Sequence, residues 1–288
     1  MPAVAVVTDT THYLPPELVE PEGIHLVSLY VNWPEGQQRE AGLDFGAFYD
    51  RLRSAAQLPT TSQPSIGDFL AVYEPLLAEG KDIVSIHIAG GISGTVEAAR
   101  QAARQAMENA GGGRRIEVID SGTACGGFGL MALGAARVAS GGGDLEATVA
   151  QANAVRDGLE LWFAVDTLEY LQRGGRIGKA QAMLGSALKI KPILSMATEI
   201  VPVERVRTSG RAFERLLEYM RSRQAAGADG WVVQHIQAPD QAARIVERGW
   251  EIFGVEPMWV SEIGPVIGAH VGPGLLGVGG CARSLVLA

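Results

Sequence analysis

Three short runs in the first half of the chain are apolar at nearly every residue: AVAVVTD (Ala3 to Asp9), DIVSIHI (Asp82 to Ile88) and RIEVID (Arg115 to Asp120). A strand with one face in water alternates polar and apolar residues, whereas a strand apolar throughout is covered on both faces. Each run is followed by small or hydroxylated residues and then by a stretch with helical spacing. Strand, loop and helix repeated in this way give a parallel sheet with helices on both faces, because parallel neighbours need long crossovers that pack back on the sheet.

The remaining signals fit that frame. Pro15 and Pro16 open a short helix, where proline is tolerated. HLVSLYVNW (His25 to Trp33) predicts a further strand. Asp44 caps a helix carrying Phe45, Phe48, Tyr49 and Leu52 on one face. Ser65 and Asp68 make a capping box for a helix reaching Leu77. Helices are expected from Ser93 to Met107, Thr123 to Ala139 and Asp144 to Arg156.

After Gly158 the rhythm changes. LWFAVDT, KIKPIL, VPVERVRT, WVVQHI, PMWVSEI and ARSLVLA read as strands, several joined by short turns. LEYLQRGG reads as a short helix, as do IGKAQAMLGSAL, Ala212 to Arg223 and Asp240 to Phe253. The second half is therefore expected to be a mixed or antiparallel sheet with helices on one side. The predicted domains are 1–158 and 159–288.

The net charge of -8 excludes an extended nucleic-acid surface, which needs a basic patch. Cys125 and Cys281 are far apart and lack metal-type spacing, so a reducing cytoplasm is the expected compartment. The N-terminus reads as a first strand rather than a signal peptide, and no run is long enough for a membrane span.

Four loops are rich in hydroxyls or glycine: TDTTH (Thr8 to His12), TTSQPS (Thr60 to Ser65), GGISGT (Gly90 to Thr95) and DSGTACGGFG (Asp120 to Gly129). Ligands of open parallel sheets gather beyond the carboxyl ends of strands, so these loops suggest a crevice. GGISGT fits neither a P-loop, a dinucleotide fingerprint nor a nucleophile elbow. What it keeps is a helix start with free amides and the Ser93 hydroxyl, favourable to an anion. A plain helix cap at Ser93 is equally open. TTSQPS alone reads as a turn and a cap. In the second half, RGGRIGK (Arg173 to Lys179) gathers basic groups, and His270 sits in the glycine-rich turn IGAHVGPG, poorly explained as core filling.

In their order along the chain, TDTTHYLP, TTSQPS, GGISGT, the DSG loop, LEYLQRGGRIGKAQAMLGSALKIKPIL, VRT and IGPVIGAHVGPGLLGVG closely resemble the DegV family. These are bacterial fatty-acid-binding proteins that serve fatty acid kinase. The resemblance implies a DegV-like two-domain α/β fold, with an acyl chain in an apolar tunnel between the domains. By motif position Thr61 and Ser93 would bind the carboxylate, with Gly94 and Thr95 of the same loop, and His270 would join the polar network. Arg176, Arg173 and Arg207 would lie where the kinase docks. Thr10 stands where many members have serine, which keeps the hydroxyl.

The resemblance further implies a carrier with no cofactor other than its bound fatty acid and no catalytic residues of its own; a monomer without a nucleic-acid partner is expected, though the sequence does not fix the oligomeric state. A chain of about 14 methylenes at ~0.8 kcal/mol each would contribute a gross ~11 kcal/mol, much of it lost to immobilisation. Met183, Leu184, Leu188, Ile190, Ile193, Leu194, Ile66, Phe69 and Leu70 are candidates to line the tunnel, ordinary core being the plainer reading for most. The alternative function is a hydrolase or small-molecule kinase subunit using Ser93 and His270, by analogy with the dihydroxyacetone-kinase fold.

Overall fold

A computed structural model describes residues 3–184 and 190–287. The first half contains β1 (Val4–Asp9), α1 (Pro16–Val19), β2 (His25–Val27), β3 (Tyr30–Trp33), β4 (Gly36–Arg39), α2 (Phe45–Ser54), β5 (Thr60–Ser62) and α3 (Ile66–Ala78). It continues through β6 (Asp82–His87), α4 (Thr95–Asn109), β7 (Ile116–Asp120), α5 (Gly126–Ser140) and α6 (Leu145–Gly158). Strands β2, β1, β6 and β7 form a parallel sheet in that order. The continuous apolar character of β1 has a simple cause. Val4 and Val6 pack toward α5 and α6, and Ala5 and Val7 toward α3 and α4.

The single strand expected from His25 to Trp33 is two strands. β2 stays in the parallel sheet, whereas β3 leaves it to pair antiparallel with β4 and β5. Ser28 fixes the break: its Oγ donates to the Leu29 carbonyl at 2.8 Å and accepts from the Ala41 amide at 3.2 Å. TTSQPS is likewise more than a turn, since Thr60 to Ser62 form β5. The capping box at α3 is present, with the Asp68 amide donating to Ser65 Oγ at 3.1 Å and the Ser65 amide to Asp68 Oδ2 at 2.9 Å.

The second half holds β8 (Glu160–Ala164), α7 (Glu169–Arg173), β9 (Lys191–Ala197), β10 (Glu199–Val206), α8 (Ser209–Ala225) and β11 (Gly230–His235). It ends with α9 (Pro239–Phe253), β12 (Val260–Glu262), α10 (Pro265–Val271), β13 (Leu276–Cys281) and α11 (Ser284–Leu287). The sheet order is β10-β9-β8-β13-β11-β12, antiparallel except for β11 with β12. Helices α8 and α9 cover one face, where Phe213, Leu216 and Ile245 pack with Trp231 of β11. The other face meets the first half, where Phe163, Leu194 and Met196 join Val31, Phe48 and Tyr49 in one core.

Three expectations in this half change. The helix over IGKAQAMLGSAL is a 3-10 turn at Gly178–Met183, and the rest of that stretch, Leu188 included, falls beyond Leu184 among residues that are not described. The turn holding His270 is the helix α10. The last strand is LGVGGC, not ARSLVLA; Ser284 to Leu287 form α11, which packs back on α5 and α6. Glycine is a poor strand former, which hides β13 from a propensity reading. Its neighbours require it: a Cβ at Gly279 would lie 2.7 Å from Leu161 Cβ, and one at Gly280 equally close to the Gly230 carbonyl. Among the described residues no helix is long and apolar enough to cross a membrane.

Candidate functional site

Between the two sheets lies a narrow cavity that opens to solvent at one end. Its walls are mostly apolar, with Ile88 from the parallel sheet, Leu161, Phe163, Met196 and Val232 from the six-stranded sheet, and Val266 and Ile267 from α10. Polar side chains gather where Gln63 reaches solvent: Thr61, Ser62 and Gln63 from the β5 edge, Ser93 from the loop before α4, then Arg176 and His270.

Thr61 and His270, 209 residues apart, share a hydrogen bond of 2.7 Å between Oγ1 and Nε2. Burial, reinforced by the positive charge of Arg176, lowers the His270 pKa to about 4, so the imidazole is neutral at physiological pH. Its Nδ1 is buried with no hydrogen-bond partner among the described residues. Gly174 packs directly on that edge of the ring, where a Cβ would collide with Nδ1.

Ser93 does not cap α4 as a helix-start reading supposes. The helix begins at Thr95 with Gly94 in the cap position. Ser93 Oγ lies 2.8 Å from Thr95 Oγ1 and accepts the Thr95 amide at 3.3 Å. Ser93 lies on the cavity wall, but Thr95 is fully buried behind it and Gly94 is outside the wall. Gly94 is needed for space, since a Cβ there would sit 2.8 Å from Gln63 Nε2. Thr95 therefore orients Ser93, and Gly94 admits Gln63.

The three arginines separate. Arg176 lines the cavity, with Nε donating to the Ile92 carbonyl at 3.2 Å and Nη1 to the Gly174 carbonyl at 2.9 Å. Arg173 is exposed and pairs with Glu169 at 3.2 Å, and Arg207 is exposed after β10. Neither touches the cavity.

Of the four hydroxyl- and glycine-rich loops, TTSQPS, GGISGT and DSGTACGGFG reach the cavity wall and TDTTH does not. Asp9 and Thr11 are fully buried in a polar network of their own. The expected tunnel-lining set is also displaced: none of its described members lies on the wall. Ile193 packs in the core under α8, and Phe69 packs in the core beside α4. Apolar character alone does not separate a cavity wall from a core.

Two further residues are invisible to motif reading. Cys125 lines the cavity with an unusual backbone, φ 54° and ψ -134°, at the turn into α5, and burial pushes its thiol well above the ordinary value. It is a neutral wall group, not a thiolate nucleophile. Glu40, 2 % exposed, accepts from Thr10 Oγ1 at 2.6 Å, Tyr13 OH at 2.8 Å and the Val266 amide at 2.8 Å, fastening the start of α10 to the first half.

Burial raises the Glu40 pKa from 4.5 to about 7, although its hydrogen bonds oppose the shift. The folded protein thus binds this proton more tightly than the unfolded chain. The Glu40 contribution is complete below pH 4.5 and is lost as pH rises through about 7. Glu40→Gln removes that slope. Unfolding free energies from urea titrations across this window should shift in the variant's favour, relative to wild type, by about 3 kcal/mol from the acidic to the alkaline end.

Fold and site define a class: two α/β lobes enclosing an apolar slot, with hydroxyls, a neutral imidazole and a guanidinium at its mouth. The chain belongs to the DegV family, whose model, described as uncharacterised protein, DegV family, matches residues 3–283. It is 40% identical over 284 residues to a DegV domain-containing protein of Streptomyces coelicolor, covering 96% of this chain and 97% of that one. It resembles the crystal structure of DegV from Bacillus subtilis, described as a fatty acid binding protein, at TM-score 0.87 and 36% identity over 98% of this chain and 99% of that one. A DegV family protein from Thermus thermophilus, described by its fatty acid binding, matches at TM-score 0.86 and 34% identity with the same coverage.

Proposed function

We propose that this protein holds a long-chain fatty acid in the cavity between its two domains, 1–158 and 159–288, and presents the carboxylate to a fatty acid kinase that converts it to an acyl phosphate. The observation that carries this reading is the polarity of the cavity, whose walls are mostly apolar and whose hydroxyls, imidazole and guanidinium gather where it opens, while the one amide deeper in, Gln234, is already bonded to the Gly126 amide and the His12 carbonyl. An amphiphile with one anionic end matches that distribution. The fatty acid binding described for the Bacillus subtilis and Thermus thermophilus proteins supports it.

The chemistry assigns roles. Arg176 supplies the fixed positive charge, and Ser93 and Thr61 supply hydroxyl donors, because a carboxylate drawn from water must be paired. His270, neutral and bonded to Thr61, holds that hydroxyl in place. Arg173 and Arg207, both exposed, remain available to the kinase. The protein acts as a monomeric cytoplasmic carrier, and the phosphoryl chemistry belongs to the partner. A serine–histidine hydrolase would need Ser93 bonded to His270, whereas the hydrogen bonds of Ser93 run to Thr95 and that of His270 Nε2 to Thr61.

Native mass spectrometry of the purified protein, followed by lipid extraction, tests the proposal. A bound fatty acid is expected, with affinity reduced about 100-fold or more in the Ser93→Ala, Thr61→Val double variant, as befits loss of two hydrogen bonds to a charged group at about 1.5 kcal/mol or more each. Absence of any bound acid, and of any uptake on addition, would overturn it.

A further inference from the structure

The cavity has a built end. Gly277, Val278 and Gly279 of β13 all line the slot, and the two glycines share one face of the strand, with the neighbouring strands in register. Phe163 and Gln234 flank Gly277, and Leu161 and Val232 flank Gly279. The next residue on that face, Cys281, is fully buried in the core and is not part of the wall.

Above Gly279 the flanking side chains meet the start of α5. Leu161 Cδ2 stands 3.0 Å from where a Cβ of Gly127 would be, and Val232 Cγ2 the same distance from that of Gly126. Two apolar side chains thus rise from β8 and β11 on either side of a glycine floor and touch a roof of two helix glycines. The polar mouth lies at the other end, because β13 runs away from α10 and His270 toward α5.

We infer that Leu161 and Val232, closing over Gly279, form the end stop of the acyl tunnel and set the longest chain the protein holds. This deepens the fatty-acid reading and rests on it. A chain that reaches the stop is fully covered. A longer one must buckle or leave methylenes in water at the mouth, at a cost in affinity of about fourfold for each methylene exposed.

Two substitutions move the stop in opposite directions. Val232→Ala removes one side of the arch. Gly277→Val brings the stop forward by two strand residues, about 6.8 Å. A Cβ at Gly277 would meet nothing nearer than Phe163 Cβ at 3.4 Å, so the backbone accepts it and the added methyls project into the slot. Gly277→Ala is the milder companion if valine perturbs folding.

Dissociation constants for saturated acids from lauric to arachidic, measured with wild type and each variant, decide the matter. The expected result is a length optimum that moves to longer acids in Val232→Ala and to shorter ones in Gly277→Val or Gly277→Ala. An unchanged optimum in folded variants, or an equal loss at every length, would overturn the end stop while leaving fatty-acid binding intact. Failure of the wild type to bind any acid would instead overturn the functional reading, and this inference with it.

Discussion

Replacing Asp9 with Asn is expected to lower the thermal midpoint by about 10 °C, at 2–4 °C per kcal/mol for a chain of this size. Asp9 is wholly buried at the end of β1 and accepts four hydrogen bonds: the Thr11 amide at 3.0 Å, Thr11 Oγ1 at 2.5 Å, His87 Nδ1 at 3.1 Å and the Ile88 amide at 3.1 Å. Burial alone would raise its pKa; the hydrogen bond and charge of His87, with Thr11 and Ile88, hold it below the ordinary value. The chain of contacts continues from His87 Nε2 to Ser85 Oγ and from there to Tyr73 OH, each step 2.7 Å. An amide at position 9 points its NH₂ at the two donors on one side and leaves both without an acceptor. A buried donor left unpaired costs about 1–3 kcal/mol. Ser85→Ala should cost less, since each remaining neighbour loses one bond. Differential scanning calorimetry reads both, and a shift of Asp9→Asn no larger than that of Ser85→Ala would refute the account. The serine, histidine and aspartate look like a hydrolytic triad on paper, but all three are fully buried and the serine is already bonded to a tyrosine.

Arg176→Ala is expected to weaken fatty-acid binding about 100-fold while leaving a fatty alcohol of equal length nearly unaffected. A hydrogen bond to a charged group contributes about 1.5–3 kcal/mol, and at this mouth no other cation lines the wall among the described residues. Without Arg176 the carboxylate would rest on neutral hydroxyls and an imidazole that burial keeps uncharged. The alcohol control separates loss of charge pairing from general damage to the slot. Titration calorimetry with both ligands measures the difference, and an equal loss for acid and alcohol would show that Arg176 acts only on packing.

The parallel layer was legible because its strands are buried on both faces and its helices carry clear caps at Asp44, Ser65 and Asp144. What escaped was decided by contacts distant in sequence. Half of β13 is glycine, which hides it from any propensity rule, yet Gly279 and Gly280 lie against Leu161 and the backbone of Gly230. The split of His25 to Trp33 depends on a serine side chain reaching Ala41. At the mouth, Thr61, Ser93 and His270 could be picked out because their motifs are distinctive, but Arg176 as a wall residue could not. Its position follows from the Ile92 carbonyl, 84 residues away. Glu40 gave no signal at all, for a lone acid in a polar stretch reads as surface.

The two halves are riveted at several places. Tyr49 OH donates to the Ile263 carbonyl at 2.6 Å, Glu40 receives the Val266 amide, Gln234 bridges to the His12 carbonyl, and the Thr198 amide donates to the Gly122 carbonyl at 2.7 Å. A book held shut by so many clasps does not open along its spine when a page is exchanged. On the proposed function, a fatty acid would enter and leave lengthwise through the open mouth, like a sword in a scabbard, rather than by separation of the halves.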